Sequence, residues 1–210
     1  MKIFVAIGSY IVHAENGCNQ AMRDTWLADL TPPFDYKFFL GNNVSTQADE
    51  IPLNIEEGYY SAANKVLAIC EYFVKNDYDY LFQCWTDLYA RPERLLLCGF
   101  ENYDYVGDFA GDPYRDDERN YASGGAGYWL SRKAASFVLA GGIPQHWADD
   151  VWVGRVTAGA GLRRMHDCRY LRRRQYITRS NEFITAHLSW GTGNYDKQLM
   201  YEYHNVWRKS

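Results

Sequence analysis

In the stretch YLFQCWTDLYARPERL, residues 80–95, one acid, Asp87, follows a short apolar run, and a helix start follows at Pro92. Open α/β sheets bind ligands in the crevice outside the carboxyl ends of their strands, so an acid in this position faces that crevice. Mg2+ and Mn2+ take one or two carboxylates and fill their shells with substrate phosphates. Mn2+ also accepts an imidazole. His187, far downstream in a loop bracketed by apolar and glycine-rich sequence, can supply one. Together Asp87 and His187 make a two-point grip on a divalent ion, with diphosphate oxygens and water completing the shell. Each also has a plainer use, the acid as a helix or turn cap and the histidine as a hydrogen-bonded structural group.

Asp149 and Asp150 open a helix predicted over residues 147–157. Carboxylates in a first turn complement the helix dipole, so capping explains them at the simplest level. The chemical alternative is a general base that takes a proton from an attacking hydroxyl, or an acid that orients an acceptor. Trp147 and Trp152 flank the pair, and their rings can form a sugar-binding wall. Gly124-Gly125-Ala126-Gly127 lets backbone approach a ligand closely. This segment lacks the dinucleotide pattern and the Lys-Ser/Thr of a P-loop. The chain has no G-x-S-x-G elbow and no H-E-x-x-H.

Positioning these groups requires a sheet. Residues 2–7 are a continuous apolar run, expected of a strand covered on both faces. A helix is predicted over 18–27, a second strand over 36–40, a polar loop to about 54, and an amphipathic helix over 61–75. A third strand is expected at 80–83, a helix at 92–97, a fourth strand at 104–109 and a surface loop at 111–120. The Gly124–Gly127 break precedes a short strand at 128–130, and a helix follows at 132–140. The tail holds His187, a loop at 191–194 and a last helix. The β/α alternation early and looser texture late predict an α/β fold with a central mixed sheet flanked by helices.

The bulk numbers restrict the classes. The 210 residues are 47% hydrophobic and 23% charged, enough for a sizeable core. A net charge of −4 gives no positive field for nucleic acid. The one basic cluster, Arg163, Arg164, Arg169 and Arg172 to Arg174, reads as a solvated edge or as a contact for an acidic acceptor. Five cysteines without zinc spacing, three of them in apolar segments, fit buried thiols in a reducing compartment. Around Val12, His13 and Ala14 the N-terminus faintly resembles a secretory leader, but Gly8, Ser9 and Tyr10 interrupt its apolar run. No segment approaches the roughly 20 apolar residues of a membrane span. Aromatic residues reach 17%, and exposed rings suit sugar handling because they stack on C–H faces.

Several segments, in order, resemble the GT-A fold glycosyltransferases, specifically the β-1,3-galactosyltransferase and Fringe group. They are Arg23-Asp24-Thr25-Trp26, FFLG at 38–41, the segment around Asp87, YASGGAGYWLSR at 121–132 and ADDVWVG at 148–154. The resemblance implies a single Rossmann-like domain over 1–210, with a nucleotide-binding part at about 1–110 and an acceptor-side part at about 111–210. It implies a UDP-sugar donor, a glycan acceptor and a Mn2+ or Mg2+ ion. Asp87 falls on the metal-binding acid of the family, His187 near its C-terminal metal histidine, and Asp149 or Asp150 on the acidic position that serves as base. Ile7, Gly8, Ser9, Tyr10, Arg23 and Thr86 fall where the nucleotide is held, and Gly124 and Gly125 on the acceptor side. The family's acidic triplet is here Trp85-Thr86-Asp87, which keeps only the last acid. That departure motivates a second reading, a nucleotide-sugar or glycan-binding module without turnover. The ending HLSWGTGNYDK is similar to retaining GT-A enzymes, in which a lysine at the place of Lys197 meets the diphosphate; inverting and retaining outcomes both stand. A compact, anchor-free chain is also similar to glycosyltransferase domains of large algal viruses. It is compatible with one part of a longer polypeptide and with a cytoplasmic setting, the host's if viral.

Overall fold

The computed structural model describes residues 1–45, 47–110, 120–172, 182–189 and 197–208. The loop expected at 111–120, apart from Asn120, and the one at 191–194 lie outside these residues, as do Arg173 and Arg174.

Strand β1 (Ile3–Gly8) is buried at every position, as its unbroken apolar run predicts. It pairs in parallel with β2 (Phe34–Leu40), which in turn carries a short edge strand, β3 (Glu50–Pro52), inside the stretch expected to be loop. On its other side β1 pairs in parallel with β4 (Tyr80–Trp85). Strand β5 (Leu88–Ala90) follows directly, and β6 (Tyr105–Gly107) and β7 (Tyr128–Ser131) come next. Three more strands follow: β8 (Arg164–His166), β9 (Tyr170–Leu171) and β10 (Thr185–His187). The main sheet runs β3-β2-β1-β4-β7-β6-β8, with β7 antiparallel to both of its neighbours; β5-β10-β9 form a smaller sheet. The expected class, α/β with a central mixed sheet flanked by helices, is what the structure has.

Alternation along β1 divides the core. Ile3, Val5 and Ile7 face one apolar cluster, while Phe4 and Ala6 face the other. The helix expected over 18–27 is α2 (Cys18–Asp24), which stops three residues early, and a short helix the sequence did not announce, α1 (Ile11–Glu15), precedes it across Gly17 at φ 78°. The second cluster packs under α3 (Ala62–Lys75), while α4 (Pro92–Leu97) contributes Leu95 to the first. Helices α5 (Arg132–Ala140) and α6 (Asp149–Thr157) cover the same face as α3, and α7 (Gln198–Trp207) packs on the first cluster.

Three expectations for site residues are corrected here. Trp152 is a core residue of α6, 2% exposed, and offers no ring to a sugar. Ile7 is buried in the first cluster rather than turned to a ligand. Arg23 is a clamp: its guanidinium donates to both Asp49 oxygens at 2.8 Å and to Glu50 at 2.9 Å, pinning β3 to the sheet. Trp26 of the same motif donates its indole N–H to the Leu88 carbonyl at 3.1 Å and so holds β5. The segment that resembled a nucleotide contact therefore braces two strands.

Glu50 has a side chain only 1% exposed and also accepts from Asn19 and the Gln47 N–H, so removing Arg23 leaves a buried carboxylate without that cation. Arg23→Met is expected to destabilise the fold by about 3 kcal/mol. A lower urea midpoint at an unchanged slope checks this; an unchanged midpoint would return Arg23 to ligand binding.

Candidate active site

The chain leaves β1 for β2 on one side and returns to β4 on the other, so a crevice opens outside the carboxyl ends of β1 and β4. Gly8 lies opposite Trp85, and a Cβ at Gly8 would stand 2.4 Å from the Trp85 ring. Only glycine lets that indole lie on the strand end. Tyr10 stacks on the same indole, centroids 5.5 Å apart and planes 11° apart. Beneath them Lys65 is fully buried; its Nζ donates to the Ser9 carbonyl at 2.6 Å and to Glu57 at 2.8 Å, and lies 4.1 Å from the Tyr10 ring centre. Burial lowers the Lys65 pKa, and Glu57 opposes that shift. Ser9 is buried and donates to Asn19 at 2.7 Å. Of the four expected residues in this turn, only Tyr10 lines the crevice.

Asp87 follows β4 and precedes β5. The β5–β10 pair is antiparallel and sets His187 against Leu88, and the Leu188 N–H donates to the Asp87 carbonyl at 2.8 Å. His187 is thus a strand-end residue rather than part of a loop. Its Nε2 meets Asp87 Oδ2 at 3.0 Å, and the Ser189 hydroxyl donates to the same oxygen. Its Nδ1 faces the Arg172 carbonyl at 3.3 Å. Burial works against charge on His187, but the bond to Asp87 outweighs it and the pKa is raised. Burial works against charge on Asp87 too, and His187, Ser189 and His13 together lower its pKa.

Asp87 Oδ1 is buried without a partner among the described residues. A carboxylate with an unused oxygen, an imidazole and a hydroxyl suit a hard divalent ion. Among the described residues no three His, Cys, Asp or Glu side chains form a metal cluster. The residues therefore fit an ion only as a two-residue grip whose other positions come from a ligand and water.

Asp149 and Asp150 stand at the start of α6 and line the same crevice. Asp150 is tied to backbone, accepting from the Gly124 N–H at 3.0 Å and the Val151 N–H at 2.7 Å. Asp149 accepts from the Tyr128 hydroxyl at 3.2 Å. Burial, then the charge of Asp150, raises the Asp149 pKa. Burial raises that of Asp150 as well, against the pull of its backbone donors. Between the two acidic groups runs Gly124-Gly125. A Cβ at Gly124 would lie 3.0 Å from Asp149 Oδ2, and one at Gly125 2.6 Å from the His187 ring. The Asp149 carboxylate and the Asp87–His187 pair thus meet across a strip of bare backbone.

The crevice is a cavity of about 700 Å³. At its mouth Tyr59, Tyr60 and Trp147 cluster ring to ring, the residues 65%, 76% and 40% exposed. Thr86 does not line it; it is fully buried, with its hydroxyl 2.6 Å from His13 Nδ1. Nor does Lys197, which donates to the Asn16 carbonyl at 2.7 Å. Sequence reasoning missed His13, Tyr59, Tyr60 and Ser189. For His13 a signal existed: it sits a few residues past the end of the first buried strand, the same topological place that singled out Asp87. Its pKa is lowered, by burial first, although Asp87 pulls the other way.

No family model matches the sequence, and no curated protein matches it significantly. Among solved structures, the chain is similar to a glycosyltransferase involved in the glycosylation of the major capsid of PBCV-1. The TM-score is 0.58 at 10% identity, covering 98% of this chain and 100% of that one. At that identity the likeness is one of fold.

The raised pKa of Asp149 has a consequence for stability. The unfolded chain releases this proton near the ordinary value of about 3.9. The folded chain holds it to higher pH, binds more protons in between, and loses stability as pH rises through that window. Asp149→Asn removes the loss. Relative to wild type, its melting temperature is expected to be higher at about pH 8 and similar at about pH 4. A mutant equally destabilised at both would make Asp149 a structural cap.

Proposed function

We propose that the chain is a glycosyltransferase of the hexosyltransferase type, moving a sugar from a UDP-sugar to a hydroxyl of a glycan acceptor. One observation carries the reading: Asp87–His187 and Asp149 converge on one cavity, separated only by the Gly124-Gly125 backbone. Asp87 and His187 would hold Mn2+ or Mg2+, which when bound neutralises charge on the departing diphosphate. Tyr10 and Trp85 form the nucleotide side of the cleft, next to that grip. Asp149 would take the proton of the acceptor hydroxyl. Its raised pKa places it closer to the operating pH, where a general base is most effective. Asp150, held by two backbone donors, orients the turn. Tyr59, Tyr60 and Trp147 offer ring faces to the C–H surface of an acceptor sugar. Lys197 lies outside the cavity, which favours the inverting outcome over the retaining one.

A cytoplasmic setting belongs to the same proposal. All five cysteines are free, and among the described residues no helix is long and apolar enough to cross a membrane. So does a place among the glycosyltransferases of large algal viruses, where the fold likeness points. A second reading, a binding module without turnover, draws on Trp85 and Thr86: one is stacked on Tyr10 and the other is committed to His13, so neither supplies a second acid.

The test is UDP release from a panel of UDP-sugars with Mn2+ and oligosaccharide acceptors. Turnover with at least one donor is expected. Asp87→Ala should abolish Mn2+-dependent UDP binding, and Asp149→Asn should cut turnover by about 100-fold or more with UDP affinity retained. Asp150→Asn should keep most of its turnover. UDP binding with no transfer or hydrolysis across the panel would establish the binding module instead.

A further inference from the structure

We propose that His13 recognises the donor's diphosphate: Thr86 fixes its tautomer so that Nε2–H donates to a diphosphate oxygen. The inference rests on the UDP-sugar reading and adds to it a residue and a contact.

The tautomer follows from hydrogen-bond accounting. Thr86 is fully buried, and among the described residues its hydroxyl meets His13 Nδ1 at 2.6 Å. A buried hydroxyl left without an acceptor is costly, so Thr86 donates and Nδ1 accepts. The ring is then neutral with its proton on Nε2. Nε2 has no protein partner among the described residues, and His13 lines the cavity. A fixed N–H donor therefore faces the ligand space. The neutral form matters, because a proton on Nδ1 would donate to the Thr86 oxygen and take away the acceptor of the hydroxyl hydrogen.

The setting of the ring selects the ligand group. Helix α1 fully buries none of its residues and packs Ala14 partly against the first cluster, so His13 is not there to fill the core. His13 meets Tyr10 edge to face, centroids 5.3 Å apart, and is backed by Thr86, the residue before Asp87. It therefore joins the edge of the Tyr10–Trp85 stack to the residue beside the proposed diphosphate grip, and its hydrogen-bonding atom is fixed from the Thr86 side. Trp85 and Thr86 bring no carboxylate to this side; the charges that reach the ring are Asp87, which a bound cation would offset, and Glu57, which Lys65 pairs.

Calorimetric titration with UDP and with uridine, both in Mn2+, tests this on four variants. His13→Ala is expected to weaken UDP binding about 10-fold or more and to leave uridine binding unchanged. Thr86→Val, which removes the hydroxyl but keeps the shape, should weaken UDP binding several-fold, and Thr86→Ser should restore it. His13→Gln, which keeps an N–H donor without the ring, should fall between wild type and His13→Ala. Unchanged UDP affinity in His13→Ala would overturn the proposal. So would an equal loss for UDP and uridine, which puts the contact on the nucleoside, or a Thr86→Val indistinguishable from Thr86→Ser. If wild type binds no UDP, the UDP-sugar reading falls along with this one. If wild type binds UDP and His13→Ala binds it equally well, only this inference falls.

Discussion

The antiparallel register between β5 and β10 is the constraint on which the site depends. It places His187 opposite Leu88 and so beside Asp87, two residues 100 apart in the chain. A slip of one residue would turn His187 to the other face of the small sheet and dissolve the pair. The register is held from both sides. Trp26 anchors β5 through the Leu88 carbonyl, and the Thr185 hydroxyl donates to the Ala126 carbonyl at 2.6 Å. That second bond ties β10 to the glycine segment, so the strand that brings the histidine also locates the backbone between it and Asp149.

Electrostatics then distinguishes the two acids. Burial raises the pKa of both, but Asp87 has the His187 ring and the Ser189 hydroxyl bonded to it, and its pKa ends lowered. Asp149 has a phenol and a like charge nearby, and its pKa ends raised. Two carboxylates in one cavity pushed in opposite directions are suited to different tasks, one to remain ionised and one to exchange a proton. Lys65, a buried charge beside this cavity, is absorbed by Glu57 and the Ser9 carbonyl and acts as support for the Tyr10 turn.

Bare backbone and stacked rings do the remaining shaping. Glycine at 125 keeps a methyl group off the His187 ring, and glycine at 8 admits the Trp85 indole on which Tyr10 rests. These close approaches explain two glycines that carry no chemistry themselves. They also explain why the cavity can bring its reactive groups together without a loop between them.

Much of the scaffold was legible in the sequence because its signals are local. The unbroken apolar run of β1, the helical spacing of α3 and the Pro92 start of α4 all rest on contacts or dihedrals within a single segment. Asp87, Asp149, Asp150, Gly124 and Gly125 were legible for the same reason, as acids and glycines at element ends. What the sequence left open is decided by sheet order and burial. Arg23 read as a nucleotide contact and Trp26 as part of the same family segment, yet they brace β3 and β5, because their partners Asp49, Glu50 and Leu88 come near only when the strands pair. Trp147 and Trp152 are matched in type and separated by half a helix, but one is exposed at the cavity mouth and the other sealed in the core. His13 gains its hydrogen-bond partner Thr86 only when the end of β4 packs beside α1. Periodicity records which face of a segment is apolar; which segment ends come together is a property of the packed sheet, and there the tertiary structure alone decides.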